Sequence, residues 1–348
     1  MHARFESIGS YLPTCSVSTA ELISRMQFQP PFDYSAITGI HSRHVHNKDS
    51  QQFEGSFALA VQAAQDCLSR SRYAASDLDV LISASITRFR GNYRGFFEPS
   101  FAHMIGQALG FENHIQFDVS NACAGMLSGV YVLNQMIRSG QVRNGMVVSG
   151  ECITPIADAA VKEISNLKDP QFASLSVGDA GAAVILDQSD GPENQIHYIE
   201  MTTCAEYADL CLGMPSEHGA DMVLYTNNNQ MHNRSRLRLW PVFMNQLLEK
   251  RGTSLAEEGF DHVLFHQISS RTTETGIAVS EKEFKAPLPP TLNALSTVGN
   301  TASTSHFVVL RKHLAEGTLK LPSKVLLVPA ASGIVLGSMS VSLSSLEI

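Results

Sequence analysis

The segment FDVSNACAGMLSG sets Cys123 among small residues where a strand-like run gives way to a helix-like one. Backbone N–H groups at a helix start, together with the helix dipole, favour a thiolate. The position therefore predicts a cysteine of lowered pKa, suited to thioester exchange. Ala122, Ala124 and Gly125 leave room beside it for an acyl chain. A free cysteine is also commonly a small buried hydrophobe, and the local sequence leaves both readings open. His266 follows an apolar run in LFHQIS, and Asn300 stands in VGNTAS ahead of a helix-like stretch. Taken singly, the first reads as readily as a structural histidine, and the second as a turn or cap residue.

The elements that must position these three alternate between strand-like and helix-like through most of the chain, the pattern of an α/β protein with buried sheets. FALAVQAAQDCLSRS (57–71) predicts an amphipathic helix, and DVLISAS (79–85) a buried strand. HIQFDVS (114–120), GMVVSG (145–150), AAVILD (182–187), HVLFH (262–266) and KVLLVPA (324–330) predict further strands. WPVFMNQLLEK (240–250) places Trp240, Phe243, Met244, Leu247 and Leu248 on one helical face. Residues 205–236 show no clear periodicity and read as an irregular excursion, of the kind that more often covers a site than forms core.

Two halves echo each other. The same interval separates Cys123 from Gly140 as separates Asn300 from Gly317, each ending a helix-like run on a glycine. That overlay pairs Cys123 with Asn300 and Ser83 with His266. It divides the chain into a first half, 1–188, carrying the cysteine, and a second, 189–348, carrying the histidine and asparagine.

Composition narrows the function. With 44% apolar and 17% charged residues over 348 positions, the chain is an ordinary globular protein with a sizeable core. A net charge of −8 argues against a nucleic-acid binder, which needs clustered lysine and arginine over a whole face. No apolar run approaches the roughly 20 residues of a membrane span, and the first residues lack a signal-peptide layout, so the cytoplasm is expected. The six cysteines form no CxxC pair and no metal spacing, which predicts reduced thiols and no bound metal.

NACAG, HQIS and VGNTAS, in that order, resemble the Cys, His and Asn motifs of β-ketoacyl-ACP synthase III. TGIHSRH (38–44), VGDAGAAVIL (177–186) and SGIVLGS (332–338) extend the resemblance over nearly the whole chain. It implies the five-layered αβαβα thiolase fold and a homodimer without a cofactor, using acyl-CoA or acyl-carrier-protein thioesters as substrates. By the same resemblance Cys123 would take the acyl group. His266 and Asn300 would hold the carbonyl of a second thioester and stabilise its enolate. The Cys123 N–H and a main-chain N–H near Ser332 and Gly333 would form the oxyanion hole. Arg271 would meet a carrier-protein or coenzyme phosphate, whereas Arg234, Arg236 and Arg238 read as a solvated face.

Three departures from the familiar enzymes bear on substrate. Ser332 replaces a glycine. Asp33 and Ile37 stand where a nucleotide would be gripped, which argues against an acetyl-CoA primer. Glu98, in FFEPSFAHMIGQALG, replaces an apolar residue that reaches across the dimer. A glutamate at that position resembles the head-to-head olefin, α-pyrone and dialkylresorcinol ketosynthases, where it is read as a base. The plainer reading is a charge at the start of the following helix. Claisen condensation of the Cys123 acyl group with a second thioester, malonyl or β-ketoacyl/acyl, in fatty-acid-derived or polyketide-like secondary metabolism is the function expected. Acyl transfer to a hydroxyl or amine, or a role as one subunit of a heterodimeric condensing enzyme, is the alternative.

Overall fold

The computed structural model describes residues 2–48, 53–90, 98–111, 114–219 and 221–346, and the backbone alone of 93–94. Two mixed sheets organise it. The first runs, in spatial order, Ala3–Tyr11, Ala180–Gln188, Asn144–Glu151, Val80–Ser83 and Ile115–Asp118. The second runs Gln195–Thr203, Val335–Leu343, Ser323–Val328 and His262–Phe265. Within each, two antiparallel pairings lead to a parallel one. Where the first sheet has its fifth strand, the second has, among the described residues, only a parallel bridge from Val263 to Thr291.

The duplication extends to an irregularity. A β-bulge falls between Phe5 and Ser7 on the outermost strand of the first sheet, opposite Leu186 and Ile185. Its counterpart falls between Ile196 and Tyr198, opposite Val341 and Ser340, at the same place along two strands of equal length. This register corrects the sequence overlay. Ile82 pairs with Val147 as Leu264 pairs with Leu327, so the counterpart of His266 is Ala84 and not Ser83. Ala84 N donates to Val148 O and His266 N to Val328 O, in matching positions.

The overlay also fails at the helices. A short 3₁₀ turn, Ala122–Ala124, enters the 14-residue helix Gly125–Arg138, and the turn Ala302–Thr304 enters the 11-residue helix Ser305–Ala315. The second helix is shorter by one turn. Matching the terminal glycines therefore slides the N-terminal ends out of step, and the residue paired with Cys123 is Ser303, not Asn300.

Both faces of each sheet are covered, which is why the central strands read as continuous apolar runs. Alternate residues point opposite ways. Val80 and Ile82 face the helices Gly125–Arg138 and Ser305–Ala315, which lie between the sheets with Leu264, Val325 and Leu327 on their other side. Leu81, Met146 and Val148 instead meet the outer helices Ser56–Ser69 and Phe101–Leu109. Trp240, Met244 and Leu248, on the helix Leu239–Arg251, cover the outside of the second sheet. The layers are thus α, β, α, β, α, and each fully buried Leu, Ile or Val contributes roughly 1.5–3 kcal/mol. Among the described residues, no helix is long and apolar enough to cross a membrane.

Candidate active site

Cys123, His266 and Asn300 all line one cavity of about 1040 Å³. Each is delivered by a different break in regular structure. Cys123 sits in the 3₁₀ turn between the strand Ile115–Asp118 and the central helix. His266 directly follows the buried strand His262–Phe265, its N–H fixed on Val328 O at 3.1 Å. Asn300 follows Gly299, which has φ +68°.

Asn300 also joins the two halves. Its N–H donates to Ser176 O at 2.9 Å, and its carbonyl accepts from Gly178 N at 3.0 Å. Gly178 belongs to the VGDAGAAVIL motif, and a Cβ there would lie 2.1 Å from Val298 O, so only glycine admits this approach. The Asn300 side chain is oriented as well. Its Oδ1 accepts from Ala302 N at 3.0 Å, leaving the amide N–H₂ as the donor. Ala122 and Ala302 take φ of +44° and +52°, a strained conformation held at the same point of both halves beside the cavity.

The electrostatics differ from the sequence expectation of a thiolate. Burial pushes the Cys123 thiol up to about 12, with Cys211 and Glu151 adding to the rise. The start of the central helix does not overcome desolvation by a largely apolar lining. His266 is shifted the other way. Burial, with His306 and His232 nearby, lowers it to about 3, so the resting pair is a neutral thiol and a neutral imidazole. His306 stacks on His266 with ring centroids 6.1 Å apart, and its own Nε2 meets Val328 O at 3.1 Å. Ser303, the counterpart of Cys123, has instead become part of a buried network, donating to Glu151 and meeting Ser149 Oγ at 2.7 Å.

Ser332 lines the cavity, in the turn between the strands Ala330–Ala331 and Val335–Leu343. Gly333 follows it with φ +115°, a conformation that excludes other residues. Arg271 is exposed near the N-terminus of the helix Ser270–Phe284, beside the cavity-lining Thr272 and Thr273, with no side-chain partner among the described residues. Glu98 is exposed and stands outside the cavity lining of its own chain. Nor does it cap the helix Phe101–Leu109. Ser100 Oγ accepts from His103 N, and the Asp118 carboxylate accepts from Phe101 N at 2.9 Å and Ala102 N at 2.8 Å. Asp33 caps the short helix Tyr34–Thr38, and Ile37 is exposed.

Residues 205–219 and 221–236 contribute to the cavity wall. They form a hairpin, Cys211–Pro215 with Met222–Thr226, and two short helices, and they supply Cys211, Thr226, Met231, His232 and Arg236 to the lining. Of these, His232 and Arg236 were not legible as site residues. Arg236 was assigned to a solvated face, yet it lies over the Tyr207 ring at 4.6 Å with its Nε buried and unpartnered. Only its alternation with Arg234 and Arg238 was visible in the sequence, and that pattern does not tell inside from outside.

His46, Cys152 and Asp179 lie close enough together to suggest a metal site. The Asp179 oxygens, however, already accept from Ile153 N at 2.6 Å, Thr154 N at 2.8 Å, Thr154 Oγ1 at 2.6 Å and His46 N at 2.8 Å. The cluster is a hydrogen-bonded joint whose acceptor is fully used.

Comparison with known proteins places the chain in a family. The family model for 3-oxoacyl-[acyl-carrier-protein] synthase III matches residues 117–204, and that for its C-terminal part matches residues 248–343. The β-ketoacyl-[acyl-carrier-protein] synthase III of Deinococcus deserti is 27% identical over 345 residues, covering 94% of this chain and 87% of its own. That of Clostridium novyi is 26% identical over 347 residues, covering 97% and 98%. Among solved structures, 3-oxoacyl-(acyl carrier protein) synthase III (FabH) from Pseudomonas aeruginosa superposes with a TM-score of 0.78 at 20% identity, covering 99% of each chain. Xanthomonas campestris OleA, in crystals with bound lauric acid and lauroyl-CoA, superposes with a TM-score of 0.83 at 20% identity, covering 98% of this chain and 99% of that one. The chain has the thiolase fold and belongs to the 3-oxoacyl-[acyl-carrier-protein] synthase III family of acyl-transferring condensing enzymes.

Proposed function

We propose that the chain is a ketosynthase that loads an acyl group onto Cys123 and joins it to a second acyl thioester by a Claisen step. The observation that carries this reading is the convergence of Cys123, His266 and Asn300 on one cavity. In the first half-reaction the Cys123 sulfur attacks the donor carbonyl, the bond to the donor sulfur breaks, and the thiol proton passes to the leaving thiolate. Neutral His266 is suited to carry that proton.

In the second half-reaction His266 and the Asn300 amide donate hydrogen bonds to the acceptor carbonyl as it becomes an enolate oxygen. One such donor is worth about 10²–10³ in rate. The N–H of Cys123 and the main chain at Ser332 and Gly333 are proposed to hold the acyl oxygen. Retention of both His266 and Asn300 favours condensation over transfer to a hydroxyl or amine, which forms no enolate.

The cavity lies at the upper end of the range for ligand pockets, and Ile86, Ile153, Leu224, Trp240 and Phe265 give it apolar walls. We therefore propose a primer longer than acetyl, carried on coenzyme A or an acyl carrier protein whose phosphate meets Arg271. Within its own chain Glu98 stands outside this cavity, so any part it has in proton transfer requires a second copy.

Intact-mass measurement after mixing with acyl-CoA donors of graded length tests the reading. A single acyl adduct is expected, formed faster from medium or long chains than from acetyl-CoA and absent in Cys123→Ala. Undiminished acylation of that variant would overturn the assignment of the nucleophile.

A further inference from the structure

The two halves carry different side chains at a pair of matching buried positions. With Ser303 as the counterpart of Cys123, the counterpart of His306 is Met126, and that of His266 is Ala84. Met126 and Ala84 belong to the apolar layer between the sheets. The second half thus sets two imidazoles where the first has apolar side chains, and both are buried. Burying a polar ring costs free energy unless its nitrogens are satisfied, yet Nδ1 of each ring lacks a hydrogen-bond partner. Of the two, His266 lines the cavity and His306 lies behind it.

The rings stack with centroids 6.1 Å apart and planes 21° from parallel. Both residues are tied to one carbonyl, since Val328 O accepts from His266 N and from His306 Nε2, each at 3.1 Å. In the first half Val148 O accepts from Ala84 N at 2.8 Å, and the Met126 side chain has no donor to add. A carbonyl oxygen only accepts, so Nε2 of His306 carries the proton. Burial lowers His306 to about 4, which leaves its ring neutral and its Nδ1 bare at pH 7. A buried donor without a partner is rarer than a buried acceptor without one, so Nδ1 of His266 is bare as well. Nε2 is then the nitrogen with which His266 donates.

We propose that His306 is a positioning residue, which holds the His266 ring in one orientation and one tautomer with the Nε2 proton available to the substrate. The His266 side chain makes no hydrogen bond or ion pair of its own among the described residues. His306 is fixed in the first turn of the helix Ser305–Ala315 and on Val328 O, so its ring is a rigid wall for His266 to lie against. What the Nε2 proton meets rests on the condensing reading above. In acylation Nε2 gives its proton to the leaving thiolate and takes the Cys123 proton in exchange, and in condensation it donates to the acceptor carbonyl. Both half-reactions therefore run through the nitrogen that His306 orients.

The test measures acylation of Cys123 by lauroyl-CoA, as the maximal rate and the donor concentration that gives half of it, in the wild type, His306→Met and His306→Gln. Methionine is the residue the first half carries at this place, and glutamine can still donate to Val328 O. His306→Met is expected to keep the wild-type melting temperature and a half-saturating concentration within about twofold, while its maximal rate falls about tenfold. His306→Gln should retain about a third or more of the wild-type rate. A wild-type maximal rate in His306→Met would overturn the proposal. So would equal losses in the two variants, or a loss in His306→Met that comes with a lowered melting temperature. ¹⁵N-histidine NMR of the wild type reads the same claim without a change at 306. The His266 ring, identified by the signals lost in His266→Gln, should be a single neutral tautomer protonated at Nε2 at pH 7, and averaged tautomers would overturn the proposal. Absence of any adduct on the wild-type chain would instead sink the condensing reading and leave the ring geometry to the NMR result.

Discussion

A thiol pushed up to about 12 is almost wholly protonated at pH 7, so the resting Cys123 holds only a minute thiolate fraction. That makes a measurable prediction. Alkylation of Cys123 by iodoacetamide, resolved by peptide mass to separate it from the exposed Cys15, should rise about tenfold per pH unit between about pH 7 and 10 without levelling. A plateau below about pH 8 would mean that the helix start outweighs burial after all. The three residue identities at the site were legible because each stands at a change of local pattern, as in NACAG, HQIS and VGNTAS. Their protonation was not. The direction of a pKa shift depends on what surrounds the group from distant parts of the chain, here Cys211 and His306.

Regular elements follow the apolar pattern where packing alone decides it, and the strands Val80–Ser83, Asn144–Glu151 and Ala180–Gln188 fall where the sequence puts them. The strands Ala3–Tyr11 and Val335–Leu343 escape the apolar pattern because polar side chains are buried in them, and Gln195–Thr203 escapes it because only Ile196, Tyr198 and Ile199 in it are buried. Arg4 is paired with Asp187 at 2.7 Å, Glu6 accepts from Ser71 and Arg72, and Ser338 and Ser340 are fully buried. Helix ends show the same dependence on remote partners. Asp118, from the edge strand, caps Phe101–Leu109, while Glu98, nearby in sequence, does not. Asp118→Ala should therefore cost about 1–2 kcal/mol in urea unfolding, as loss of a cap does. Glu98→Gln should stay within about 0.5 kcal/mol. A comparable loss from Glu98→Gln would restore its role as a helix-terminal charge.

Among the described residues, no further strand pairs with the outer edge of Ile115–Asp118 in the first sheet. Ile115 and Val119 direct their N–H groups inward, to Asp79 O and Ser83 O, so the alternation of the strand turns those of Gln116 and Asp118 outward. Ile115 is 49% exposed on this edge, and an unpaired strand edge is a template for another chain. Antiparallel pairing of the edge with its own copy about a two-fold axis is self-complementary. It would also bring the segment carrying Glu98 toward the second chain, since Asp118 holds the start of Phe101–Leu109 against the same strand. Gln116→Pro tests this directly. The lost N–H is not used within the sheet, and proline is tolerated on edge strands. Light scattering should give about twice the 37.8 kDa chain mass for the wild type and a single chain for the variant, with the far-ultraviolet circular dichroism of the two alike. A wild type that runs as a single chain would overturn the homodimer, and a Gln116→Pro variant that stays paired would move the contact to another face.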